Sequence, residues 1–71
     1  MTLLEAQKQQ SELCILMEGS EGRFVVRQEI EEWIGSYRLR WMLRNARTMQ
    51  VVQSEQHLED ILRSAATFAG R

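Results

Sequence analysis

Proline is absent from the 71 residues, cysteine and histidine occur once each, and glycine only four times. Each shortage excludes something. A lone thiol, Cys14, cannot close an intramolecular disulfide, and one imidazole, His57, leaves no ligand pair for zinc, so neither a metal nor another cofactor is expected. A reducing, intracellular setting is the simplest reading. Long hydrophobic runs are missing as well: the longest is Cys14-Ile15-Leu16-Met17, and the N-terminal segment has no basic region, which predicts neither a signal peptide nor a membrane span. Nor does charge of one sign prevail, since nine Lys and Arg against ten Asp and Glu give a net charge of −1. There is accordingly no global electrostatic case for nucleic acid or an anionic membrane as partner.

What is present favours helix. With 44% hydrophobic and 27% charged residues and many Leu, Glu, Gln, Arg and Met, the composition is that of a soluble helical protein. A chain of this length is one domain, residues 1–71, whose core supplies roughly 3–5 kcal/mol of net stability, so support from a partner is expected. Thr2-Leu3-Leu4-Glu5 has the spacing of a capping box and predicts a first helix, with Leu3, Ala6, Leu13 and Met17 as a thin apolar stripe. Gly19-Ser20-Glu21-Gly22 predicts a break. A second helix is predicted from about Phe24 to about Asn45, with Gly35 inside it, which close approach of a neighbouring backbone, a kink or simple tolerance would explain. Asn45 can end that helix, Thr48 or Ser54 can cap a third, and Leu58, Ile61, Leu62, Ala65 and Ala66 continue at helical spacing to Phe68 or Ala69, with Gly70 as terminator. The fold class expected is all-α: a short N-terminal helix plus an antiparallel helical hairpin, packed as in a coiled coil.

On the helical wheel of the second segment, Val26, Ile30, Trp33, Ile34, Tyr37 and Trp41 share one side and form the expected hairpin core with Leu58, Ile61, Leu62 and Ala65. Leu39, Met42, Leu43, Ala46 and Met49 gather on the opposite side. This second stripe is covered either by the first helix folding back or by another protein, and it is the expected partner-binding face. Arg38, Arg40, Arg44 and Arg47 form a run without acids, a feature of nucleic-acid surfaces, but a helix points them in several directions. No catalytic constellation is present. Cys14 sits in an apolar run and is expected to be buried, His57 is expected at the surface, and Glu59-Asp60 has no second acidic pair with which to hold a metal. A binding protein, not an enzyme, is predicted.

Several stretches resemble a known family. Met1-Thr2-x-Leu4-Glu5-x-Gln7, Gln28-Glu29-Ile30-Glu31, Met42-Leu43-Arg44-Asn45, Gln50-Val51-Val52-Gln53-x-Glu55, Leu58-Glu59 and Ala69-Gly70 are similar, in order, to the YscE/PscE-like co-chaperones of the type III secretion needle subunit. The resemblance implies a small all-helical protein of the bacterial cytoplasm that binds and stabilises a tetratricopeptide-like chaperone. Through that chaperone it would keep the needle subunit soluble and unpolymerised before export. The family often has glycine or proline in its last turn, where this chain has Asn45-Ala46-Arg47. The alternative reading is a small three-helix DNA-binding regulator using the arginine run, and a third is self-association of the chain alone.

Overall fold

The computed structural model describes residues 1–19 and 22–69. In chain order they form helix α1 (Leu3–Gln9), strands β1 (Cys14–Gly19), β2 (Gly22–Trp33), β3 (Ser36–Asn45) and β4 (Val51–Glu55), and helix α2 (Leu58–Ala69). The strands make one antiparallel sheet in the order β1-β2-β3-β4. The all-α expectation is therefore overturned. Among the described residues the fold is α+β with no helical hairpin or coiled coil, and the expected second helix is the β2–β3 hairpin.

Alternation is the physical reason. In Tyr37-Arg38-Leu39-Arg40-Trp41-Met42-Leu43-Arg44 an apolar residue stands at every second position, and a strand sends these to one face and the arginines to the other. Gly35 belongs to the turn and not to a helix interior. Trp33 pairs with Ser36, and the two residues between them, Ile34 (φ 48°) and Gly35 (φ 71°), are both left-handed, as in a two-residue type I′ hairpin turn.

At the other end of the sheet Gly19 pairs with Gly22, so the expected break is a strand-to-strand connection. Ser20, Glu21 and the expected terminator Gly70 lie outside the described residues. The β3–β4 connection is built on Asn45, whose side-chain oxygen accepts from the N–H groups of Arg47 (2.9 Å) and Thr48 (3.2 Å). Where β4 joins β3, Leu43 faces Gln53 but Arg44 faces Val51, leaving Val52 as a bulge.

The first helix forms where its cap predicts. Thr2 Oγ1 accepts from Glu5 N–H and the Glu5 carboxylate accepts from Thr2 N–H. It ends at Gln9, short of Leu13 and Met17, because Gln10 turns extended and its side-chain amide donates to the Gln28 carbonyl (2.9 Å). The Tyr37 N–H donates to the Met1 carbonyl at one edge of the hairpin, so α1 crosses β2 and β3 between two backbone anchors. Ala6, fully buried, is its inward contact.

Both helices cover the same face of the sheet. Phe24, Val26, Trp41 and Leu43 meet Ile61 and Ala65 of α2, with Ile15, Met17, Val52, Leu58, Leu62 and Phe68 packed around them. Leu43, Ile61 and Val26 are the largest fully buried side chains, and burial of each contributes roughly 1.5–3 kcal/mol. The hairpin runs beyond β1 and β4, so that residues 36–40 and the strand opposite form a projecting two-stranded arm, crossed on one face by α1.

Candidate functional site

The other face of the sheet carries neither α1 nor α2. Alternation and register place on it Cys14, Leu16 and Glu18 of β1, Arg23, Val25, Arg27, Glu29, Glu31 and Trp33 of β2, and Arg38, Arg40, Met42 and Arg44 of β3. Five arginines thus stand among three glutamates on one surface. Three of the four arginines in the run noted in the sequence, Arg38, Arg40 and Arg44, share this face, which a helix could not have arranged.

The charges are largely engaged with one another. Arg44 grips Glu29 through Nε (2.6 Å) and Nη2 (2.8 Å), Arg27 approaches the same carboxylate (3.4 Å), and Arg38 pairs with Glu31 (2.9 Å). The bidentate bond from Arg44, reinforced by its charge and by Arg27, holds the Glu29 carboxyl below the usual carboxylate range, although partial burial acts against it. Glu29 in turn raises Arg44. Arg40 donates to Ser54 Oγ (3.1 Å) and to the Ser54 carbonyl (3.2 Å), tying β3 to β4. The outlying Arg23–Glu18 pair is highly exposed and contributes little to stability.

The end of the arm is apolar and open. Trp33 is 50% exposed, with the Arg38 guanidinium 3.8 Å from its ring centroid, and Ile34 at the apex is 84% exposed. A β-branched residue in the left-handed region is sterically strained, at a cost of order 1–3 kcal/mol, where asparagine or glycine would sit at ease. At the opposite end Gly22, Arg23, Asn45, Ala46 and Arg47 line an open cleft of about 520 Å³, across which the Ala46 N–H donates to the Arg23 carbonyl (2.9 Å).

The residues expected to bind a partner do not share a surface. Leu43 is fully buried beneath α2, Met42 is buried on the opposite face, Leu39 is half-buried on the α1 side, and Ala46 and Met49 lie in the β3–β4 connection. Of the expected hairpin core, Val26, Trp41, Ile61 and Ala65 are buried, Leu58 and Leu62 pack against them, and Ile30 and Tyr37 are half-buried. Trp33 and Ile34 instead face solvent. Cys14, expected inside, is exposed, because strand alternation turns Ile15 and Met17 inward. His57 is exposed as expected. Among the described residues no cluster of His, Cys, Asp and Glu could hold a metal ion, and no helix is long and apolar enough to cross a membrane.

Compared with protein-family models, curated proteins and solved structures, the chain matches none.

Proposed function

We propose that the protein is a non-enzymatic binding module that inserts the hairpin tip, Trp33 and Ile34, into an apolar cleft of another protein, with the arginine and glutamate face of the sheet as the polar rim. The observation that carries this reading is Ile34, a strained and almost fully exposed β-branched residue at the apex of a projecting arm. A tryptophan braced by an arginine beside a small aliphatic side chain is the chemistry of an interface anchor.

Charge argues for protein over nucleic acid. From Gln28 to Arg40 the arm carries three glutamates, Glu29, Glu31 and Glu32, against Arg38, Arg40 and the Met1 ammonium bonded to Ser36, so it offers phosphate no excess of positive charge. The perturbed pair Glu29 and Arg44 is accounted for by its own ion pair, which supports a structural role for it over acid–base chemistry. An exposed thiol at Cys14 suits a reducing compartment such as the bacterial cytoplasm.

This reading keeps the expectation of a partner and moves the contact from Leu39, Met42, Leu43, Ala46 and Met49 to the hairpin tip. The co-chaperone reading drew its physical support from a helix apolar on two sides, and that support goes with the helix. The DNA-regulator reading loses its three helices in the same way.

The test is Ile34→Asn, which suits the turn and removes the anchor. A partner retained by the immobilised wild type, released by the variant and rebound by purified wild type in a two-component titration supports the proposal. Equal affinity for both forms sinks it.

A further inference from the structure

The two edges of the sheet are protected very differently. Strand β4 carries the bulge at Val52 and receives Arg40 through Ser54. Strand β1, Cys14-Ile15-Leu16-Met17-Glu18-Gly19, has an unbroken register with β2, no proline, no lysine and one charge. Its Leu16 is 76% exposed. Natural sheets blunt such edges, and one left straight and apolar is a template for another strand.

We propose that a second copy of this chain pairs with β1 edge to edge and antiparallel, with the two-fold axis at Leu16, joining two four-stranded sheets into one continuous sheet. The inference is independent of the hairpin tip.

The identity of the occupant follows from what each row of side chains would meet. On the open face Leu16, which stands beside Val25, meets Leu16 of the second copy, closing an apolar row that runs from one Val25 to the other. Two residues along, Cys14 stands opposite Glu18 of the second copy. Because Cys14 is small and Arg27 is its neighbour on β2, Arg27 and that Glu18 lie two strand spacings apart, roughly 10 Å between Cα atoms, a gap their extended side chains close. Arg27 is about half exposed and holds Glu29 only at 3.4 Å, and Glu18, whose own pair with Arg23 (3.0 Å) is highly exposed, would take the second guanidinium beside the first. On the covered face Ile15 meets Met17 of the second copy, so Val26-Ile15 and Met17-Phe24 become one apolar row linking the two cores. Shifting the axis by one residue would break this. With the axis at Ile15, Leu16 faces Cys14 and Glu18 faces Glu12. The antiparallel self-pairing centred on Leu16 alone matches apolar with apolar on both faces and carboxylate with guanidinium at both ends.

The register predicts its own cross-linking pattern. Leu16 faces Leu16, whereas the two Cys14 thiols are offset by four residues, about 14 Å along the strands, beyond disulfide reach. Sedimentation equilibrium of the wild type from micromolar to millimolar concentration is expected to show a dimer. Leu16→Lys, which places a charge at an exposed position of a folded monomer, is expected to weaken that dimer by at least about tenfold while leaving the near-ultraviolet circular dichroism of the core unchanged. Leu16→Cys in a Cys14→Ser background is expected to form a covalent dimer with a short bismaleimide, and the wild-type Cys14 is not. A wild type monomeric throughout, a Leu16→Lys variant that dimerises like the wild type, or cross-linking at Cys14 in preference to position 16 would each overturn the proposal.

Discussion

Arg44 and Glu29 are not cross-strand partners, yet they form the tightest ion pair on the open face. Arg44 stands opposite Val25 and Glu29 opposite Arg40, and the bidentate bond between them spans the intervening level of Arg27 and Met42. Beside this pair Val25 and Met42 are buried although neither α1 nor α2 covers their face.

This arrangement predicts the acid limb of the stability curve. Glu29 is depressed in the folded state, chiefly by its bond to Arg44, so its contribution is fully present above the ordinary carboxylate value near 4.5 and is lost as pH falls through the lower folded value. Glu5, lowered by its bond to the Thr2 backbone, acts in the same direction. The melting temperature should hold from neutral pH to about 5 and then decline. In Glu29→Gln the decline should be shallower, and a limb of unchanged slope would show that the pair contributes nothing in solution.

The cross-strand pair Val26 and Leu43 lies fully buried beneath Ile61. Leu43→Ala should therefore cost about 2–5 kcal/mol in denaturant unfolding, a large share of what a domain of this size possesses. Leu43→Asp should leave no cooperative transition, since an unpaired carboxylate would sit at the centre of the core. A stable, cooperatively folding Leu43→Asp protein would refute the burial described for this residue.

The capping box at Thr2 offers a local test of α1. Replacing its hydroxyl removes the acceptor for Glu5 N–H, and Thr2→Ala should cost about 1 kcal/mol. Hydrogen exchange should accelerate at Glu5 and Ala6 while the protection of Val26 and Leu43 stays as in the wild type. Uniform acceleration across the chain would mean that α1 is integral to the global fold and not an independently fraying element.

The ends of the chain were legible in the sequence and its middle was not, for one reason. Thr2 and Glu5 carry their own hydrogen-bonding partners, and Leu58, Ile61, Leu62 and Ala65 fit a helix and nothing else. Between Phe24 and Asn45 two periods compete. Val26, Ile30, Tyr37 and Trp41 share a side of a helix and also share a face of an antiparallel hairpin, so their positions do not discriminate. The discriminating signals were the alternation of Tyr37, Leu39, Trp41 and Leu43 with arginines, and Gly35 at the midpoint of two strands of opposite parity. Helix-favouring composition points against both, although propensity yields readily to tertiary pairing. The candidate site depended on the same choice. Trp33 and Ile34 are core on the helical wheel and solvent-facing at a hairpin apex, and the common face of Arg38, Arg40 and Arg44 exists only at a period of two.

The apex is where the functional reading can be separated from plain stability. Ile34 (φ 48°) and Gly35 (φ 71°) need opposite treatment although both are left-handed. At Gly35 an added Cβ would meet nothing within 4 Å, so the whole penalty of Gly35→Ala is conformational, about 1 kcal/mol. At Ile34 the strained residue is already present, and Ile34→Asn should relieve it, raising stability by about 1 kcal/mol. Thermal or urea unfolding of the two variants should therefore move in opposite directions from the wild type. A residue retained for folding could not behave so. If Ile34→Asn is the more stable protein and also the one that no longer holds its partner, the isoleucine is there for the partner; if it is less stable, the apex serves the fold and the proposed contact must lie elsewhere on the arm.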